Sequence, residues 1–199
     1  MTYLRRLSGI SPLAFAVVNA VALALALSGA VACSDSGGSS SSTSGDATEP
    51  GADGTFIAFT PAFEGWRSWE KFPVGDGSAQ GQAHLAGPRT EYLNKRPPKG
   101  SKTWPVGTII VKELEVGAFQ DRKVFAMVKR GGDYNSASAP GWEWFELHNQ
   151  ADGSLDSIVW RGFGPPAGEQ YGGDKNGCAS CHAGGNDFVQ GAALALSSF

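Results

Sequence analysis

The rhythm of apolar and polar residues divides this chain into stretches of different kinds. Residues 13–27 are almost continuously apolar, and residues 34–54 hold almost nothing that can be buried. From residue 55 onward apolar side chains return in short runs. Residues 107–116 alternate with a period of two and are rich in β-branched side chains, which is the signature of a half-buried strand. Residues 124–129, 142–147 and 155–160 read as three more strands, separated by turn signals at Gly131-Gly132-Asp133 and Asp152-Gly153. Short connections between successive strands favour antiparallel neighbours, so the pattern predicts a mainly β (α+β) fold built on a single antiparallel sheet. Residues 84–94 are weakly extended, and residues 95–105 form a Pro/Gly/Lys loop. Thr60-Pro61 looks like a helix start, and Phe63, Trp66 and Trp69 recur every three residues, so a short amphipathic helix is expected there. Residues 162–177 are a long Gly/Pro loop, a type of connection that is usually functional in a compact domain.

The first two stretches predict export. Arg5 and Arg6 precede the apolar run, which ends in Ser28-Gly29-Ala30-Val31-Ala32 ahead of Cys33. This is the layout of a signal peptide over residues 1–32. Small residues before a cysteine resemble a lipobox, in which Cys33 carries the lipid and begins the mature chain. An uncleaved transmembrane anchor is the rival reading. Either reading gives an exported, membrane-anchored protein facing the periplasm or the cell surface. Residues 33–54 then hold the lipidated Cys33 and a Ser/Gly linker that reaches on the order of 25 Å as a flexible coil. Residues 55–199 have the size of one domain with its own core.

Charge narrows the partners. A net charge of −3 and a pI near 5.6, with Lys and Arg dispersed, leave no basic stripe for nucleic acid. The chain has three cysteines and three histidines. Cys178, Cys181 and His182 spell Cys-x-x-Cys-His, the spacing in which two thiols bond covalently to haem vinyl groups and the adjacent imidazole reaches the iron. A structural disulfide is one alternative. Half a zinc site is another, but a zinc site needs four ligands and only His84, His148 and scattered carboxylates remain to complete it. One cysteine for lipid and two for haem c leave none over. The motif lies near the C-terminal end with no methionine after it, unlike small electron-carrier cytochromes, and the middle of the chain alternates too strictly for a helical haem bundle. A β-rich domain with a C-terminal haem attachment site is what remains. His84, His148 and Met127 are the side chains available as sixth ligands; solvation is the commoner fate of the histidines and core packing that of Met127.

Several segments in order resemble the cytochrome P-460 family, mono-haem c-type proteins that include the beta-type c-prime cytochromes. They are Trp66-Arg67-Ser68-Trp69, Arg89-Thr90-Glu91-Tyr92, the run from Gly107 through Leu114, the aromatic stretch from Trp142 to Phe145, the haem pentad, and Asp187-Phe188-Val189. The resemblance implies an antiparallel β domain, commonly a homodimer, with His182 as the proximal iron ligand and an open opposite side. It implies oxidation of hydroxylamine or a related small nitrogen species, with electrons leaving to a redox partner cytochrome. It also implies a covalent bond from a lysine to the porphyrin, and Lys112 matches that lysine. Alternation places Lys112 on the same face as Ile110 and Leu114, where burial favours the neutral, nucleophilic amine; the competing reading is a lysine that snorkels to the sheet edge. Arg89 matches a distal arginine able to hydrogen-bond a bound nitrogen oxide, against a surface ion pair with Glu91 or Glu113. The family also uses an acidic proton acceptor. In this sequence Asp121, Asp133, Glu143 and Glu146 are its candidates.

Three function classes follow. The first is a hydroxylamine-oxidising haem enzyme, marked by a Lys112 cross-link. The second is a nitric oxide binding or detoxifying module, marked by an unlinked Lys112 and a crowded distal side. The third is an electron-transfer lipoprotein, marked by a side chain in the sixth position.

Overall fold

The computed structural model describes residues 53–75, 87–169 and 177–199. The expected signal peptide, Cys33, most of the expected linker and His84 lie outside the described residues. Six strands form one antiparallel sheet in sequence order: β1 (Glu70–Gly75), β2 (Arg89–Leu93), β3 (Ile109–Leu114), β4 (Val124–Lys129), β5 (Trp142–Asn149) and β6 (Leu155–Gly162). The fold is therefore mainly β, with a few short helical turns. Strands β3 to β6 fall where alternation places them, and β2 occupies the weakly extended stretch. Strand β1 was not anticipated: Pro73 depresses the strand signal, and the structure tolerates it because β1 is an edge strand whose proline needs no outer partner.

Period-two alternation sorts the strand side chains onto two faces, and each face carries its own apolar cluster. On the first face Val111, Val124, Ala126, Val128, Phe145 and Leu147 pack beneath an N-terminal strap that contributes Phe56, Phe63 and Trp66. The strap corrects one expectation. In place of an amphipathic α-helix it forms two 3₁₀ turns, Thr60–Phe63 and Trp66–Ser68, separated by Gly65 at φ 66°. The three-residue spacing of Phe63, Trp66 and Trp69 is the period of a 3₁₀ turn rather than of an α-helix.

Buried carboxylates alternate with apolar residues on this first face, and each is paired as burial of charge demands. Glu113 accepts from Arg67 at 2.7 Å and from Arg122 at 3.3 Å. Glu143 accepts from Arg161 at 2.7 and 2.8 Å and from Arg130 at 3.4 Å.

The second face is covered by the C-terminal segment. Helix α1 (Gly177–His182) and the 3₁₀ turns Ala192–Leu194 and Leu196–Ser198 bring Ala179, Val189, Leu194 and Leu196 onto Leu93, Ile110, Met127, Trp142 and Trp144. Phe199 closes the layer edge-on against Trp104, ring centroids 5.6 Å apart. The aromatic stretch splits between the faces, with Trp142 and Trp144 on the second and Phe145 on the first. Among the described residues no helix is long and apolar enough to cross a membrane.

Candidate functional site

Cross-strand register writes the floor of the site. Glu91 lies opposite Lys112, Lys112 opposite Phe125, Phe125 opposite Glu146, and Glu146 opposite Trp160. The next row on the same face runs Leu93, Ile110, Met127, Trp144. Directly opposed residues hold their Cβ atoms about 4.5–5.5 Å apart, so these side chains stand as neighbours on one surface. Over that floor lies α1. Together they form a cleft open to solvent on one side and lined by Glu91, Ile110, Lys112, Phe125, Met127, Trp144, Trp160, Cys178, Cys181 and His182. A mostly apolar wall holding a few convergent polar groups is the character of small-molecule and cofactor sites.

Helix α1 presents the pentad to the cleft. Cys178 is partly buried and Cys181 is exposed, and both are free thiols. Burial pushes the Cys178 thiol up to about 12, against a nearby Lys112 that favours the thiolate. Burial, reinforced by the Lys112 charge, lowers His182 to about 4, so its imidazole is neutral across ordinary pH. Its Nδ1 lies 2.8 Å from the Phe188 carbonyl oxygen. A carbonyl can only accept, so Nδ1 carries the proton and Nε2 carries the lone pair. Trp144 braces the ring edge-on, with centroids 4.8 Å apart. A neutral imidazole with one nitrogen tied to a backbone carbonyl is the arrangement of a metal-ligating histidine.

The turn that supplies that carbonyl is unusual. Asp187 and Phe188 both adopt left-handed backbone, φ 49° and 65°, which costs a non-glycine residue on the order of 1–2 kcal/mol. Gly185 is packed beneath it, and a Cβ there would stand 2.5 Å from the Val189 carbonyl carbon, too close for any real contact. Gly185→Ala is therefore expected to push the Val189 backbone and the Phe188 carbonyl away from His182. Overpacking of this kind costs about 1–3 kcal/mol, read as a thermal midpoint lower by several degrees in circular dichroism.

Lys112 and Glu91 face each other on the floor. Desolvation lowers Lys112 to about 8, partly opposed by the Glu91 charge and assisted by Arg89. Desolvation raises Glu91 to about 7, opposed by Lys112 and Arg89. Lys112 thus points into the cleft beside the pentad and does not reach away to the sheet edge. Arg89 is buried on the same face, two residues before Glu91, and its charge acts on both groups without lining the cleft. Glu113 lies on the opposite face, where it is held by Arg67 and Arg122.

None of the four acidic candidates lines the cleft. Asp121 and Asp133 are exposed, Glu143 is held by arginines on the first face, and Glu146 is bound by Lys123 and by Trp160 Nε1 at 2.9 Å. Glu91 is the carboxyl in the cleft. In the sequence Glu91 is legible only as an ion-pair partner of Arg89. The signal that marks it is its register opposite Lys112, which a weakly extended stretch does not reveal. His148 is exposed on β5, lies 3.3 Å from Asp156 and does not line the cleft. Met127 is buried in the second apolar cluster and also contributes to the cleft wall.

The residues present fit a covalently bound haem: two thiols and a neutral imidazole on one helical turn, facing a mostly apolar cleft. A four-ligand zinc site is not assembled by the described residues, among which no group of three or more His, Cys, Asp or Glu is gathered for a metal ion. No family model, curated protein or solved structure matches the chain.

Proposed function

We propose that this chain is an exported, lipid-anchored c-type haem protein that oxidises hydroxylamine or a related small nitrogen species in the cleft. The observation that carries the reading is the convergence of Cys178, Cys181, His182, Lys112 and Glu91 on that one cleft. Cys178 and Cys181 would hold the haem by thioether bonds, and His182 Nε2 would bind its iron. Bound there, haem iron would supply an electron acceptor and a binding position for a small nitrogen ligand.

The chain's own residues do the rest. Removing electrons from hydroxylamine releases an equal number of protons, and the electrons pass on to a redox partner cytochrome. Glu91 is placed to take a proton, since a carboxyl titrating near neutrality is matched to general-base work. Arg89 holds positive charge beside it and favours the ionised carboxylate. Ile110, Phe125, Met127, Trp144 and Trp160 keep the cleft apolar and limit water. Lys112 is the candidate for a covalent link to the porphyrin, its lowered proton affinity supplying the neutral amine. Joining an amine nitrogen to a ring carbon with loss of both hydrogens is an oxidation, so the link requires a peroxide-class oxidant.

A second reading, nitric oxide binding without hydroxylamine turnover, is favoured by the aromatic wall of Phe125, Trp144 and Trp160, which crowds the cleft. Peptide mass spectrometry of the matured protein, combined with a hydroxylamine oxidation assay, separates the two. A Lys112-linked haem peptide and steady turnover are expected. An unlinked Lys112 with nitric oxide binding and no turnover contradicts the enzyme reading and supports the second.

A further inference from the structure

We propose that Asp187 is a positioning residue for His182, fixing the Phe188 carbonyl on the imidazole and so setting how strongly that imidazole donates to iron; this rests on the haem reading above. Asp187 neither lines the cleft nor hydrogen-bonds His182. It works from the outer side of the turn. Both carboxylate oxygens accept from Lys129 Nζ at 2.8 Å, and one also accepts the Trp104 backbone N–H at 2.8 Å. Its backbone carbonyl accepts from Trp142 Nε1 at 2.8 Å. The next residue's carbonyl receives His182 Nδ1–H, also at 2.8 Å.

The anchors are themselves fixed. Lys129 is buried at the end of β4, donates to the Pro140 carbonyl at 3.0 Å and lies 4.9 Å from the Trp142 ring centroid. Trp142 is fully buried. Two consecutive non-glycine residues in left-handed backbone persist only where the surroundings over-determine them, and the Asp187 contacts are what over-determine this turn. The chain of contacts thus runs from the sheet through Lys129, Asp187 and the Phe188 carbonyl to His182. An outer partner on a ligating histidine fixes its tautomer and orientation and raises its basicity, and losing such a partner typically weakens metal binding by about 10–100-fold.

The test uses the full chain matured with haem, as wild type, Asp187→Ala, Asp187→Asn and Lys129→Met. The readouts are covalent haem content, the iron–histidine stretching band of the reduced protein by resonance Raman, and the reduction potential. Asp187→Ala is expected to keep both thioether bonds while its iron–histidine band moves to lower frequency and broadens. A tenfold loss in the preference of oxidised over reduced iron for His182 raises the potential by about 59 mV. Asp187→Asn, which retains an acceptor oxygen for Trp104, is expected to shift both readouts less, and Lys129→Met to shift them in the same direction. A haem-loaded Asp187→Ala with the wild-type band and potential overturns the proposal, even if it melts at lower temperature. If Asp187→Ala does not fold, unchanged readouts in the other two variants overturn it. Wild type that carries no haem overturns the haem reading itself, a separate result.

Discussion

Replacing both Cys178 and Cys181 with serine is expected to leave the chain colourless when it is expressed with cytochrome-maturation machinery, while the sheet still folds. The two thiols sit on α1, at the wall of the cleft and outside the centre of either apolar cluster, so serine removes the covalent attachment without opening the core. Haem content should fall from one per chain to background, measured by absorbance and intact mass. Single serine variants should retain one thioether and bind haem in substoichiometric amount. His182→Ala tests the other half of the motif. It should keep the covalent bonds but lose the proximal ligand, with a changed spectrum that added imidazole restores. Haem bound covalently in the double serine variant through any residue other than Lys112 would contradict the assignment.

Glu91→Gln is the second large effect. If Glu91 accepts the proton released from hydroxylamine, its amide should lower turnover by roughly 10²–10⁴-fold, the usual contribution of a positioned general base. The carboxyl must be ionised to act, and burial raises it to about 7. Wild-type activity should therefore rise with pH through about 7 and be lost below it, and the variant should lack that inflection. Glu91→Asp should recover part of the rate. The same shift bears on stability with the opposite sign to an ordinary ion-paired carboxylate. Between the usual carboxyl value of 4.5 and about 7 the folded chain holds a proton on Glu91 that the unfolded chain has released. The Glu91 contribution to stability therefore falls as pH rises across that window and is constant above it, and Glu91→Gln should remove this dependence from urea unfolding curves. An unchanged pH–rate profile in Glu91→Gln would sink the assignment of the base.

How much of this was legible in the sequence depends on how local each signal is. Strand β4 spans the residues that alternation marks, and β3, β5 and β6 differ only at their ends, because Val, Ile, Phe and Trp at period two carry their own evidence. The face shared by Lys112 and Ile110 followed from the same alternation. The pentad is contiguous, so its three side chains could be named without any fold. What the sequence did not disclose is what depends on pairing between distant segments. Glu91 is one carboxylate among many until β2 is registered against β3. Asp187 looks like a loop residue until its contacts with Lys129 and Trp104, from two other parts of the chain, are known. Strand β1 was hidden by Pro73, and the strap was misread because three-residue spacing fits both an α-helical stripe and a 3₁₀ turn.

The central claim is that haem is bound covalently through α1. It is tested most directly by intact-mass and peptide mass spectrometry of the wild-type chain purified from a host equipped for cytochrome maturation. The account predicts one haem per chain, carried on the peptide that contains Cys178 and Cys181, with neither thiol available to alkylation. An unmodified peptide whose two thiols both react would contradict it.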